Sequence, residues 1–291
     1  MNRTIKFALL GFCLAFLAAG IRAQAPQEKF VTVFGAKIRY TESGDPSKSK
    51  VILLHGMGGS GDTSWMFTAP ALAANYHVIT PDQVGFGKSD KPFLNYRVAT
   101  YVDFLDKFMS ELKIEKASLI GNSMGGWVSV MYAAKYPSKV EKLVLVDAGG
   151  YEPPKGFDYA ALQLNINPST RDGVRAMVKQ LFYNSAMFSS DAAVDNFIAL
   201  RVAANDGHAI QSLIKNAEHA NDYFDTQVKE IKQPTLIVWG KQDGVTPMTD
   251  AERLNRDITG SELVVFDQAG HFPQVEKAAD FNKKVLEFLA K

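Results

Sequence analysis

Short apolar runs alternate along this chain with stretches in which apolar residues recur every three or four positions. The runs are Val51–Leu54, His77–Thr80, Ala117–Ile120, Leu143–Val146, Thr235–Trp239 and Leu263–Phe266. Continuous apolar runs of that length suit strands buried on both faces, as in a largely parallel sheet. Val31–Val33 and Ile38–Thr41 flank Gly35 and predict an opening hairpin. Tyr101, Leu105, Phe108 and Leu112 repeat at helical spacing, as do Phe281, Val285, Leu286 and Leu289. Strand and helix patterns in alternation predict an α/β fold with a doubly wound, mostly parallel sheet.

Two stretches break the rhythm. Between Tyr151 and Val228 no strand-like run occurs, while Leu162, Leu164, Met177, Leu181, Phe182, Met187, Phe188, Phe197 and Leu200 populate helical patterns. That length far exceeds an ordinary connection, so residues 151–228 are expected to form a helical cap inserted into a core of residues 26–150 and 229–291. Gly149-Gly150 and Gln233-Pro234 flank the insert and predict a hinge near Gly149. The other break is residues 1–25. A basic start (Arg3, Lys6) leads into the apolar run Phe7–Ala19, and Ala23-Gln24-Ala25 supplies small residues for a cleavage site. This pattern is expected of a secretory signal peptide, the apolar run being too short to span a bilayer as a helix. The expected destination is the periplasm or the medium, with no stable membrane insertion after cleavage.

Composition then narrows the classes. With 291 residues, 46% hydrophobic and 22% charged, the chain has ordinary globular usage, which excludes disorder and coiled coil. The formal charge is +1, without a Lys/Arg run. Cleavage after Ala23 removes Arg3, Lys6 and Arg22, leaving 29 basic against 31 acidic side chains, a balance of −2. No basic face for nucleic acid is expected. The single cysteine, Cys13, lies in the signal-like segment, so the mature chain is expected to use no disulfide, thiol nucleophile or thiolate metal site. No metal and no cofactor are expected. A small-molecule substrate is the expected partner, and oligomeric state is not legible.

The sharpest motif is Gly121-Asn122-Ser123-Met124-Gly125-Gly126, between a predicted strand and a predicted helix. Such a strand–tight turn–helix setting presents a serine hydroxyl at the tip of a turn that neighbouring side chains would crowd. The helix behind it points its N–H groups at the place where negative charge develops. A serine hydroxyl needs a base and an orienting acid. His271 follows the last predicted strand, and Asp243 follows the strand ending at Trp239. Loops leaving the C-terminal ends of parallel strands collect on one edge of the sheet, where sites form. Asp147, just after the strand ending at Val146, is a rival acid. His55-Gly56-Met57-Gly58-Gly59 follows Val51–Leu54 and can offer backbone N–H groups to an oxyanion, so the donors expected are Met57 and Met124. Gly56, Asn122 and Phe272 are candidate substrate contacts.

Other readings of the same residues stand beside this one. Gly56-Met57-Gly58-Gly59-Ser60-Gly61 fits G-x-G-x-x-G, and Asp82 ends the next strand about 20 residues on, as in a dinucleotide fingerprint. The turn-rich Gly61-Asp62-Thr63-Ser64 stands where that reading needs a helix. His77 falls in a strand, His208 and His219 on expected helix faces, and Asp82 and Asp267 at strand ends or turns.

With those residues in place the chain resembles the α/β-hydrolase superfamily over essentially its whole mature length. The landmarks are Leu54-His55-Gly56, Pro81-Asp82-Gln83-Val84-Gly85-Phe86-Gly87-Lys88-Ser89, the Gly121–Gly126 elbow, Asp243 and His271. The resemblance implies an α/β-hydrolase fold with a helical cap and a Ser123–His271–Asp243 triad. A serine elbow sets it apart from haloalkane dehalogenases and epoxide hydrolases. The elbow and Gly270-His271-Phe272-Pro273-Gln274-Val275-Glu276 are similar to the meta-cleavage C–C hydrolases. Phe272 stands where many of those have Trp, and their cap arginine has no motif to anchor it among Arg171, Arg175 and Arg201. The function expected is hydrolysis of carboxylic esters with apolar acyl or aryl groups, as in a carboxylesterase. The alternatives are C–C hydrolysis of vinylogous diketones and a non-catalytic ligand-binding protein on the same fold.

Overall fold

The computed structural model describes residues 26–219 and 222–291, with the side chains of 218 and 219 excepted. The signal-like segment, Cys13 and the His219 ring lie outside the described residues. Among the described residues, eight strands form one sheet in the order β1-β2-β4-β3-β5-β6-β7-β8. They are β1 Gln27–Val33, β2 Ala36–Ser43, β3 Lys50–Leu54, β4 His77–Pro81, β5 Ala117–Asn122, β6 Val140–Val146, β7 Thr235–Gly240 and β8 Glu262–Phe266. From β4 to β8 all pairings are parallel, and β2 runs against its neighbours. The β1–β2 hairpin turns on Phe34 and Gly35, both at positive φ (48° and 83°), the geometry of a two-residue turn that follows strand twist.

Alternate strand residues face two cores. Ile52, Leu54, Leu119, Leu143, Leu145, Ile237 and Trp239 pack with α3 (Val98–Glu111), α4 (Met124–Lys135) and α9 (Met248–Asp257) on one face. Val51, Leu53, Ile120, Val144, Val146 and Val238 pack with α1 (Gly61–Trp65), α2 (Thr68–Ala73) and α11 (Ala278–Leu289) on the other. A short helix, α10 (Pro273–Glu276), precedes α11. A sheet covered on both faces explains why its strands read as unbroken apolar runs.

Between β6 and β7 the chain forms α5 (Tyr159–Ile166), α6 (Arg171–Leu181), α7 (Asp191–Ala204) and α8 (Gly207–His219). Val174, Met177, Val178 and Val194 give α6 and α7 a small core of their own. Of the two glycines at the entry to this insert, a Cβ on Gly149 would meet nothing within 4 Å, whereas Gly150 is closely packed. Gly150 sits at φ 132°, its carbonyl accepts the Phe224 N–H at 2.9 Å, and a Cβ there would lie 2.2 Å from the Phe224 ring. The ends of the insert are thus stitched together, and the second glycine is required by close approach.

Candidate active site

The strand order reverses between β3 and β5, and the loops leaving their C-terminal ends meet there. Pairing of Leu54 with Gly121 sets His55-Gly56 beside Asn122-Ser123. Ser123 has φ 55° and ψ −119°, a conformation that costs a non-glycine residue roughly 1–3 kcal/mol and persists only where its surroundings impose it. Its N–H donates to Val146 O (2.9 Å), and its carbonyl accepts from Trp127 N (3.1 Å). The turn demands glycine on both sides. A Cβ on Gly121 would lie 2.2 Å from Gly125 O, one on Gly125 2.2 Å from Leu54 O, and one on Gly126 2.5 Å from the Ala148 Cβ. Helix α4 begins at Met124, whose N–H has no intrahelical carbonyl to bond.

Gly56 lies against the elbow, with room for a Cβ only 3.1 Å from Ser123 Cβ. The loop that carries it is held from two sides. His55 is fully buried, and its Nε2 accepts the Gln83 N–H at 2.9 Å while Nδ1 lies 2.7 Å from Gly56 O. Burial pushes the pKa of this imidazole down, so the ring is neutral and Nδ1 donates to Gly56 O. Gln83 Nε2 returns a bond to His55 O at 2.8 Å. On the other side Arg201, in the last turn of α7, donates Nη1 to Gly58 O (2.8 Å) and pairs bidentately with Asp206 (2.7 and 2.9 Å). These supports join residues far apart in the chain, and only the bare presence of arginines in the insert hinted at one of them.

His271 and Asp243 are brought together, the Nδ1–Oδ2 distance being 2.7 Å, and both are nearly inaccessible to solvent. Asp243 Oδ1 accepts from Val245 N (2.7 Å) and Thr246 N (3.1 Å), and Oδ2 from Thr246 Oγ1 (2.5 Å). Burial works to raise the pKa of this carboxyl. The charge and hydrogen bond of His271, with the Thr246 and Val245 donors, outweigh it and hold Asp243 below the usual carboxylate range. The insert grips both loops, since Gln180 O accepts the Gly244 N–H at 3.0 Å and Leu181 O the His271 N–H at 2.7 Å.

Ser123 Oγ makes no hydrogen bond to His271 among the described residues; the elbow reaches the histidine loop through Asn122. That side chain is wholly buried, and its Nδ2 donates to Val146 O (3.2 Å) and His271 O (3.1 Å). Phe272, half-buried, meets the His271 ring edge-on at 5.3 Å and packs on Phe182 of the insert at 5.2 Å. Asp147 is buried beside Asp243, the carboxylate and imidazole ligand-type atoms of Asp147, Asp243 and His271 lying within 4.8 Å of one another.

The remaining candidates have other work. Asp82 Oδ1 accepts from Gly61 N (2.8 Å) and Oδ2 from Lys88 N (2.9 Å), so its carboxylate is spent on the backbone and is not free for a ribose. Gly61–Trp65 is a short helix capped by Ser60, where the sequence reads as turn. His77 Nε2 bonds Glu42 at 2.5 Å. His208 stacks on Phe93 with ring centroids 3.9 Å apart. Asp267 binds the Gln242 amide at 2.8 Å. Arg171 and Arg175 are tied to Asp195 and Asp191 on the insert.

Residues 50–278 match the family described as alpha/beta hydrolase fold. The chain belongs to that family. It is 32% identical over 285 residues to a 2-hydroxy-6-oxononadienedioate/2-hydroxy-6-oxononatrienedioate hydrolase of Paraburkholderia xenovorans, covering 92% of this chain and 96% of the relative. A protein of the same name from Escherichia coli K12 is 32% identical over 293 residues, covering 93% and 98%. Among solved structures, a meta-cleavage product hydrolase from Pseudomonas fluorescens IP01 superposes with a TM-score of 0.77 at 29% identity, covering 90% of this chain and 97% of that one. A membrane phospholipase A superposes with a TM-score of 0.79 at 26% identity, covering 91% and 86%.

Proposed function

We propose that this hydrolase cleaves a carbon–carbon bond beside a ketone in a vinylogous 1,5-diketone acid, through an acyl-enzyme on Ser123. The observation that carries the reading is full-length likeness to relatives named for hydrolysing 2-hydroxy-6-oxo dienedioates. It displaces ester hydrolysis, the first expectation from sequence. His271, with Nδ1 held by Asp243, presents Nε2 to take the Ser123 proton. Oγ adds to the ketone carbon, and the Met57 and Met124 N–H groups hold the oxyanion. The carbon–carbon bond then breaks, its electron pair passing into the conjugated chain as a stabilised dienolate. His271 protonates that leaving group and next deprotonates a water, which releases the acyl half as a carboxylic acid. One water is consumed and the serine is regenerated. Phe272 and Phe182, packed beside His271, support an apolar wall for the substrate. Arg201, already neutralised by Asp206, supports a positioning role at the oxyanion loop over capture of a substrate carboxylate.

Ester hydrolysis is the second reading, supported by the phospholipase A likeness and the same aromatic wall; an alcohol leaves where the dienolate would. Export through residues 1–25 is part of the proposal. Turnover of a 2-hydroxy-6-oxo dienoate, followed by loss of its absorbance, is to be compared with a p-nitrophenyl ester. The expected kcat/KM favours the dienoate by at least about tenfold, a transition-state difference of ~1.4 kcal/mol. Ester turnover with none of the dienoate overturns the first reading in favour of the second.

A further inference from the structure

The mechanism above uses Asp243 and leaves a second buried carboxyl unemployed. Asp147 leaves β6 at φ 44°, fully buried, its N–H bonded to Val238 O at 3.0 Å. Oδ1 accepts the Gly240 N–H at 2.9 Å, and Oδ2 is buried without a partner among the described residues. Two carboxylates in one dry space cannot both ionise, so one holds a proton. The donors decide which. Asp243 receives four, from Val245 N, Thr246 N, Thr246 Oγ1 and His271 Nδ1, and is the anion. Asp147 receives one, which leaves the proton to its Oδ2, the buried oxygen that accepts nothing. Burial, and next the Asp243 charge, push the Asp147 carboxyl well above the usual range; the charge of Glu276 in α10 adds to this, and the Gly240 N–H opposes it.

We propose that Asp147 is a reserve acid for the histidine: a protonated positioning residue hydrogen-bonded to Asp243 in the intact chain, and the carboxylate that holds His271 when Asp243 is lost. Its proximity to both Asp243 and His271 makes the exchange a local one. The proposal rests on the Ser123–His271–Asp243 reading and is independent of which bond the enzyme cleaves.

The test is the rate at which a fluorophosphonate labels Ser123, which reports serine activation without any natural substrate. Removing an orienting acid with no substitute costs about 10⁴-fold. Asp243→Asn should instead label no more than about 10²-fold slower than wild type, and Asp147→Asn no more than about tenfold slower, its amide N–H still donating to Asp243. The Asp243→Asn/Asp147→Asn double variant should lose the full ~10⁴-fold. In Asp243→Asn alone, labelling should rise with pH along an ionisation absent from the double variant, because Asp147 must first lose its proton. A purely structural Asp147 would not produce that limb. Asp243→Ala serves if the Asn variant folds poorly. Labelling of the Asp243 variants as slow as that of the double, with no such limb, overturns the proposal. A wild-type chain that does not label at all overturns the triad reading itself.

Discussion

Arg201→Met separates what a buried ion pair does for stability from what it does for the oxyanion loop. The guanidinium binds Asp206 through both nitrogens and Gly58 O through Nη1. Methionine keeps much of the volume and removes every donor, leaving Asp206 (2% exposed) without its partner. Breaking a buried pair from one side costs about 3–5 kcal/mol. The Arg201 side chain retains 16% of its exposure, so water reaches the pair and the cost falls at the low end, about 3 kcal/mol. At about 2–4 °C per kcal/mol for a domain approaching this size, the expected fall in Tm is roughly 6–12 °C. Adding Asp206→Leu should restore most of it, because an apolar pair of similar volume replaces a buried ion pair at little cost. Turnover should behave differently. In the proposed mechanism the loop, without its tie at Gly58, no longer fixes the Met57 N–H, and a lost oxyanion donor costs about 10²–10³ in kcat; loosening it should cost about 10–100-fold. The double variant should not recover that loss. Calorimetry and steady-state kinetics on the three proteins decide the matter. A single variant that melts with wild type, or a double variant that regains full turnover, refutes the reasoning.

Gly150→Ala should destabilise by about 2–4 kcal/mol, since its Cβ would fall 2.2 Å from the Phe224 ring at a φ of 132°; chemical denaturation measures it, and a loss under 0.5 kcal/mol contradicts the packed joint. Asp147→Asn should raise stability more at alkaline than at acidic pH. The native Asp147 pKa is raised, so its contribution is fully present below the unfolded value near 3.9 and is lost as pH rises toward the native value, at about 1.4 kcal/mol per unit. Denaturation of both proteins from pH 5 to 9 checks the sign, and parallel curves would show that Asp147 is ionised in the native chain. Ser123→Ala should lower turnover about 10⁴–10⁶-fold with an unchanged melting curve, and wild-type turnover would remove Ser123 from the mechanism. Protein recovered from the periplasm or medium should begin at Gln24 or Pro26 by N-terminal sequencing, and a retained Met1 contradicts export by cleavage.

Burial on both faces made the strands legible, because β3 and β7 are built on unbroken apolar runs and every residue of β5 is buried. Boundaries slipped where one face meets solvent or a side chain snorkels. β6 begins at Val140, three residues before its apolar run, across Glu141 and Lys142. The short helices α1 and α2 left no period to read, being five and six residues long. Ser123, Asp243 and His271 could be picked out because Ser123 directly follows β5 while Asp243 and His271 lie three and five residues past the ends of β7 and β8, and parallel strands gather such loops at one edge. The supports of the site could not. Arg201 meets Gly58 across 143 positions and His55 meets Gln83 across 28, through contacts that leave no local pattern. The Asp147–Asp243 pair was visible only as two rival acids, since what each does depends on how many donors the folded loops bring to it.

The account stands or falls on an acyl group carried by Ser123. Wild-type protein mixed with a 2-hydroxy-6-oxo dienoate should be quenched in acid within one turnover, digested, and its peptides weighed by mass spectrometry. The account predicts the mass of the acyl half on the peptide containing Ser123, absent from Ser123→Ala. Turnover of that substrate with Ser123 never acylated, or the adduct on another residue, would contradict it.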